Sequence, residues 1–199
     1  MDFFAAAVTL FLIMDPLGNM PVFISILKHL PPKRRRIILI RELCLALIIM
    51  LVFLFGGDTV LHFMGLKQES VSIAGGIILF LIAIKMIFPS PGGLTGLAVG
   101  EEPFLVPMAI PLMAGPSILA SLILMSNQVP NQLGLLTLAL VGAWAVNAAI
   151  LLCSEVLMKV LGERGLTAME RLMGMILVMI SVQMLLDGIA HYLDNPIAG

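Results

Sequence analysis

The chain has 199 residues, 60% of them apolar and 12% charged, with a formal net charge of −1 and a mean hydropathy of +1.12. A soluble domain carries roughly a quarter charged residues, so these polar side chains are too few to cover a water-exposed surface, and lipid must cover much of it. Net charge alone argues neither for nor against nucleic acid, and no such partner is expected.

A spanning helix needs about 20 mostly apolar residues. Six such stretches are predicted, near 3–27, 37–61, 70–89, 103–126, 133–157 and 170–191. The segments KHLPPKRRR, GLKQES, PSPGGLTGLAVGEE, NQVPNQ and GERGLTAME separate them. Asp2 stands where a secretory signal would have a basic residue, so the first stretch is expected to be retained as a span. Lys28, Lys33, Arg34, Arg35, Arg36 and Arg41 cluster at the first connection, and Lys159, Arg164 and Arg171 at the fifth. With six spans these lie on one side, opposed only by Lys67, while Lys85 falls within or at the end of the third span. That bias marks the basic side as cytoplasmic and puts both termini on the periplasmic side of a multi-pass protein.

The first span contains DPLGNMP at 15–21 and the fourth contains IPLMAGP at 110–116. An offset of 95 places Pro16 on Pro111, Leu17 on Leu112 and Pro21 on Pro116; at 97, Asp58 falls on Glu155 and Gly65 on Gly162. GIILFLIAIKMI from Gly76 then matches GMILVMISVQML from Gly174 at 98. The order is preserved, which suggests an internal repeat of three spans. An odd number of spans forces the second copy to lie upside down. The expected fold is therefore an all-α integral membrane protein: six transmembrane helices as two inverted three-helix repeats, the first helix of each repeat broken at mid-membrane. Repeat 1 occupies 1–89, a cytoplasmic connection 90–102, repeat 2 103–192, and a short tail 193–199.

Proline inside a helix deletes a backbone hydrogen bond and clashes with the carbonyl four residues back. Two prolines five residues apart, with Gly18 or Gly115 between them, are expected to unwind about one turn, and the freed backbone must face protein or a wet cavity. Pro21 and Pro116 are expected at the first position of each downstream half-helix, where a missing N–H costs nothing. Such a half-helix offers free N–H groups and partial positive charge to a carboxylate. The upstream half ends in unpaired carbonyls suited to a cation or an ammonium group. A zwitterion such as an amino acid matches both poles. The competing account, in which the prolines only kink two helices for packing, fits a single proline better than a doubled and repeated pair.

Asp15 has no acidic counterpart, since Ile110 holds its place in the second copy. An acid at mid-membrane is a functional candidate by default. Pairing with a substrate ammonium, carrying a coupling proton and capping the broken helix are all open to it. Asn19 and Asn147 are also within spans; Asn147 can equally bond between helices, given its small neighbours in GAWAVNAA. Ser117 can line the site or bond back to its own helix. Asp58, His62 and Glu155 fall near span ends, Lys85 and Arg41 can snorkel, Gln183 is expected to bond between helices, and Tyr192 to anchor at the interface. Trp144 is expected to pack within its span. Cys44 and Cys153 lie in apolar runs without C-x-x-C spacing or a neighbouring His, so no metal, redox site or cofactor is expected. No Ser-His or paired-Asp constellation lies at matching depth, and no enzyme is expected.

The segments DPLGNMPVF and PLMAGPSIL together resemble the paired signatures of the MarC family (UPF0056), which includes the SnatA-type neutral amino acid transporters. The resemblance extends over length, six spans, basic first connection and both signatures. It implies a bacterial inner-membrane protein that moves small neutral amino acids such as glycine or alanine, coupled to a proton or sodium gradient. Carried over residue by residue, it implies a substrate region of Asp15, Pro16, Leu17, Gly18, Asn19 and Pro21, with Pro111, Ala114, Gly115, Pro116 and Ser117. Ser117 departs from the G-P-G that the second signature often shows, which narrows the space beside the break. The position of Asp15 can be an amide in the family, so the resemblance does not assign it a proton-carrying role. A non-transporting sensor or assembly protein and an exporter of another small metabolite are the alternatives, and a homo-oligomer is compatible with each.

Overall fold

The computed structural model describes residues 3–28, 30–63, 65, 67–88 and 104–194, with side chains at all of these except 58, 68, 155–161, 163 and 194. Its named elements are all helical: α1 (Phe3–Met14), α2 (Pro16–Leu27), α3 (Pro32–Phe63), α4 (Gln68–Ile87), a π-helical turn (Met108–Met113), α5 (Pro116–Gln128), a 3-10 turn (Pro130–Gln132), α6 (Leu133–Leu152) and α7 (Ser154–Asp194). Gly56 bends α3, and Gly162, at φ 63°, breaks α7. The side chains of Asp58 and Glu155, and the connection read at 90–102, lie outside what is described.

Among the described residues, five stretches are long and apolar enough to cross a bilayer: Phe3–Leu27, Pro32–Gly57, Glu69–Ile87, Pro130–Leu152 and Arg164–Leu193. The expected span at 103–126 takes another form, a six-residue π-helical turn followed by the 13 residues of α5. Thirteen residues rise about 20 Å, short of the roughly 30 Å hydrocarbon thickness. Apolar side chains cover the outside of the bundle: Phe4, Leu12, Phe55, Leu81, Leu138 and Met179 are each more than half exposed on five different helices. An apolar surface spread over so many elements suits lipid rather than water. Cys44 and Cys153 are free thiols on that outer surface.

The core forms where the two broken segments meet the intact helices. On α1, Ala6, Leu10 and Met14 recur every four residues and are fully buried. α1 packs against α6, α5 against α3, and α2 against α7. The Phe3–Leu27 stretch is 61% buried, against 22–39% for the other four, while Asp15 at the break within it is itself exposed.

α4 and α7 form the most extensive helix pair, running antiparallel at close range. A methyl group on Gly76 would stand 3.1 Å from the Ser181 carbonyl oxygen, and one on Gly174 would stand 3.1 Å from that of Ala83. On Gly188 it would meet Ile73 at 2.6 Å. Small residues at such crossings let backbones approach closely, which drives association where lipid removes the hydrophobic incentive.

Candidate functional site

The first break is a single residue. Asp15 adopts the left-handed conformation (φ 41°, ψ 66°), which Asp tolerates better than most side chains, and separates α1 from α2. Its carboxylate accepts a hydrogen bond from the Gly18 N–H at 3.0 Å and so caps α2. The half-helix therefore starts at Pro16, and Pro21 sits inside α2, which corrects the expected start at Pro21. The helix is also less unwound than the expected turn, because the Asp15 N–H still reaches the Phe11 carbonyl at 3.3 Å and the Asn19 N–H reaches that of Asp15 at 3.0 Å.

The second break is wider. Ile110 leaves the helical region at φ −125°, ψ 131° within the π-helical turn, and the Ala114 N–H bonds back five residues to Ala109 at 2.8 Å. Here the expected start holds, with Pro116 the first residue of α5. Gly115 precedes it, and no side chain caps the helix. The first-turn N–H groups of Ser117 and Ile118 are thus without the carboxylate that Asp15 gives to α2. Gly115 is required by close approach: a methyl group there would lie 2.6 Å from the Pro111 carbonyl oxygen.

Asn19 ties the two breaks together. Its amide nitrogen donates to the Met14 carbonyl at 2.8 Å and to the Leu112 carbonyl at 3.1 Å, so one side chain satisfies an orphan acceptor on each broken helix. Between the breaks lies a cavity of about 180 Å³. Asp15, Gly18, Asn19, Pro111, Gly115, Pro116 and Ser117 line it together with Leu79 of α4 and Met173, Leu177 and Met184 of α7, and Asp15 and Ser117 stand exposed at its edge. The other expected residues lie elsewhere. Pro16 and Pro21 are buried in helix packing, Leu17 points outward at 67% exposure, and Ala114 lines a neighbouring apolar pocket. Asn147 is fully buried in α6, its amide oxygen and nitrogen without a partner among the described residues.

Several side chains take roles that the sequence reading did not give them. Gln183 bonds to Asp187 on its own helix at 2.7 Å rather than across to another, and the Trp144 N–H reaches out of its span to the Leu43 carbonyl at 2.8 Å. Glu42, fully buried, accepts from Arg41 at 3.1 and 2.9 Å through one oxygen only. Glu170 is buried and bonds Lys28 at 3.0 and 2.9 Å. A signal for α7 was present: Glu170, Met173, Leu177, Met184, Asp187 and His191 recur at three, four or seven residues and so share one helix face. Among the described residues no group of His, Cys, Asp or Glu is placed to hold a metal ion.

A helical bundle with an apolar exterior, two interrupted helices and a small cavity between them is the build of an integral membrane protein. Residues 1–193 match the MarC family integral membrane proteins, and the chain belongs to that family. It is 60% identical over 195 residues to the UPF0056 inner membrane protein YhgN of Escherichia coli (strain K12), covering 98% of this chain and 99% of the relative. A UPF0056 membrane protein of Buchnera aphidicola subsp. Schizaphis graminum is 55% identical over 98% of this chain and 99% of its own. UPF0056 membrane protein MJ1677 of Methanocaldococcus jannaschii is 32% identical over 94% of this chain and 95% of its own. No solved structure matches the chain.

Proposed function

We propose that the protein is a secondary transporter that carries small neutral amino acids, glycine- or alanine-like, across the bacterial inner membrane by alternating access, coupled to a proton or sodium ion. The observation that carries this reading is the pair of unlike poles on one cavity. The uncapped start of α5 offers N–H groups to a carboxylate, while Asp15 offers a carboxylate to an ammonium. One Asp15 oxygen already serves Gly18, which leaves the other for the solute. Both amide hydrogens of Asn19 are committed to carbonyls, so toward a solute it presents its oxygen. A cavity of about 180 Å³ holds on the order of six water-sized groups, the scale of glycine or alanine.

Alternating access needs two units that rock around a shared site. In this reading the π-helical turn and α5 form the fourth of six spans, and the two units are inverted copies. The α4–α7 contact supports this: the offset of 98 that places Gly76 on Gly174 also places Ala83 on Ser181. The contact of Gly76 with Ser181 is therefore the symmetry mate of that of Gly174 with Ala83. Both broken spans also exchange partners, α1 and α2 packing on α6, and α5 and the π-helical turn on α3. The basic connections then face the cytoplasm and both termini the periplasm.

The test is flux of labelled glycine and alanine into proteoliposomes under imposed proton or sodium gradients. Saturable movement dependent on one gradient is expected. If neither solute moves under either gradient, transport of these amino acids is ruled out; solute binding without movement would favour a sensor.

A further inference from the structure

A second cavity, of about 340 Å³, lies beside the central one. Glu69 and Ser72 of α4, Ser117 and Ala120 of α5, and Asp187 and His191 of α7 line it. Both cavities touch Pro116 and Ser117, so one turn of α5 forms the wall between them.

α7 fixes the order of these features through the molecule. Glu170 comes first, bonded to Lys28; Met173, Leu177 and Met184 then face the central cavity; Asp187 and His191 face the second. At 1.5 Å per residue, Glu170 to His191 spans about 32 Å, close to the hydrocarbon thickness. Antiparallel α4 repeats the order in reverse, with Glu69 and Ser72 at the second cavity and Leu79 at the central one. The two ends differ in kind. At one, Lys28 joins the end of α2 to buried Glu170, and Arg35 donates to the carbonyls of Leu30 and Lys28, fastening the chain that leaves α2. At the other, the polar cavity reaches the helix ends.

Resting on the transporter reading, we propose that the second cavity is the route by which the solute reaches the central cavity in this state. Ser117 is its threshold, and the Lys28–Glu170 pair is the latch that closes the opposite end. Glu69 and Asp187 give the route an acidic lining that draws in an ammonium group and repels an anionic solute; Gln183 holds one Asp187 oxygen at 2.7 Å, and Lys67 lies 5.6 Å over the Tyr192 ring nearby. The route therefore suits zwitterions and disfavours dicarboxylic amino acids.

The test is thiol labelling in a Cys44→Ala, Cys153→Ala background, with a membrane-impermeant maleimide applied to right-side-out and inside-out vesicles. Phe63→Cys and Lys33→Cys mark the two faces. Ser117→Cys is expected to react only from the Phe63 face, and Ala120→Trp to slow that reaction at least fivefold. Lys28→Met is expected to raise labelling from the Lys33 face at least threefold. Ser72→Cys serves as a second reporter should Ser117→Cys fail to fold. Labelling from the Lys33 face alone, from both faces equally, or from neither while the denatured protein reacts, overturns the route. Labelling needs no transport: failed flux with the expected pattern counts against the transported solute alone, and intact flux with the wrong pattern counts against the route alone.

Discussion

At the scale of single residues, Asp15 separates charge from shape. Asn tolerates the left-handed conformation and caps a helix about as well as Asp. Asp15→Asn should therefore keep the thermal midpoint within about 2 °C while weakening glycine binding at least tenfold, as read by ligand-induced thermal shift. Asp15→Ala should lose binding and also about 1 kcal/mol of stability with the cap. Binding retained in Asp15→Asn would leave the residue only its capping role. Gly115 tests close approach instead. Gly115→Ala must move the Pro111 carbonyl, at a cost of about 1–3 kcal/mol, and should abolish binding. Gly142→Ala, with nothing within 4 Å of the added methyl, should raise the melting midpoint slightly. Proline and glycine made both breaks legible in the sequence. Which proline restarts each helix was not, because it turns on whether the preceding residue can adopt φ 41° and supply its own cap, as Asp15 does.

At the scale of elements, hydropathy located the long helices, and the stretch that begins at Pro130 and ends at Leu152 differs from its expectation only at the ends. The fourth stretch was less legible, since Pro107, Pro111 and Pro116 divide it into pieces whose geometry only their neighbours settle. The Lys28–Glu170 bond joins residues 142 apart, and no local pattern encodes it. The face of α7 was readable from its spacing, with three apolar residues, Met173, Leu177 and Met184, between Glu170 at one end and Asp187 and His191 at the other. Gly174 tests the α4–α7 pair: Gly174→Leu would drive its side chain into Ile87 and the Ala83 carbonyl, prising apart the two helices that wall both cavities. It should lower stability by about 1–3 kcal/mol and abolish binding, although Gly174 touches neither cavity. Unchanged binding in a stable Gly174→Leu protein would mean that the site does not depend on this crossing.

At the scale of the whole molecule, an apolar exterior covers a core that is itself mainly apolar, and composition alone disclosed the need for that exterior. The proposed orientation rests on where the basic residues gather. Epitopes placed before Phe3 and after Asp194 should both be reached by antibody in spheroplasts without permeabilisation, together with Phe63→Cys by impermeant maleimide. Accessibility of only one terminus would require an odd number of crossings and would overturn the proposed inverted pairing of two units.

The cap on α2 has one further consequence. Asp15 sits at the start of its half-helix as an incoming carboxylate would sit at the start of α5, held by the N–H of the third residue at 3.0 Å. In the transporter reading, Asp15 thus imitates the solute carboxylate, whose place at the uncapped start of α5 is the N–H of Ile118. Mimicry of this kind predicts what is left when the solute loses its amine. Acetate should compete with glycine for the cavity, weakly, and its competition should survive Asp15→Asn, since the α5 end would hold it alone.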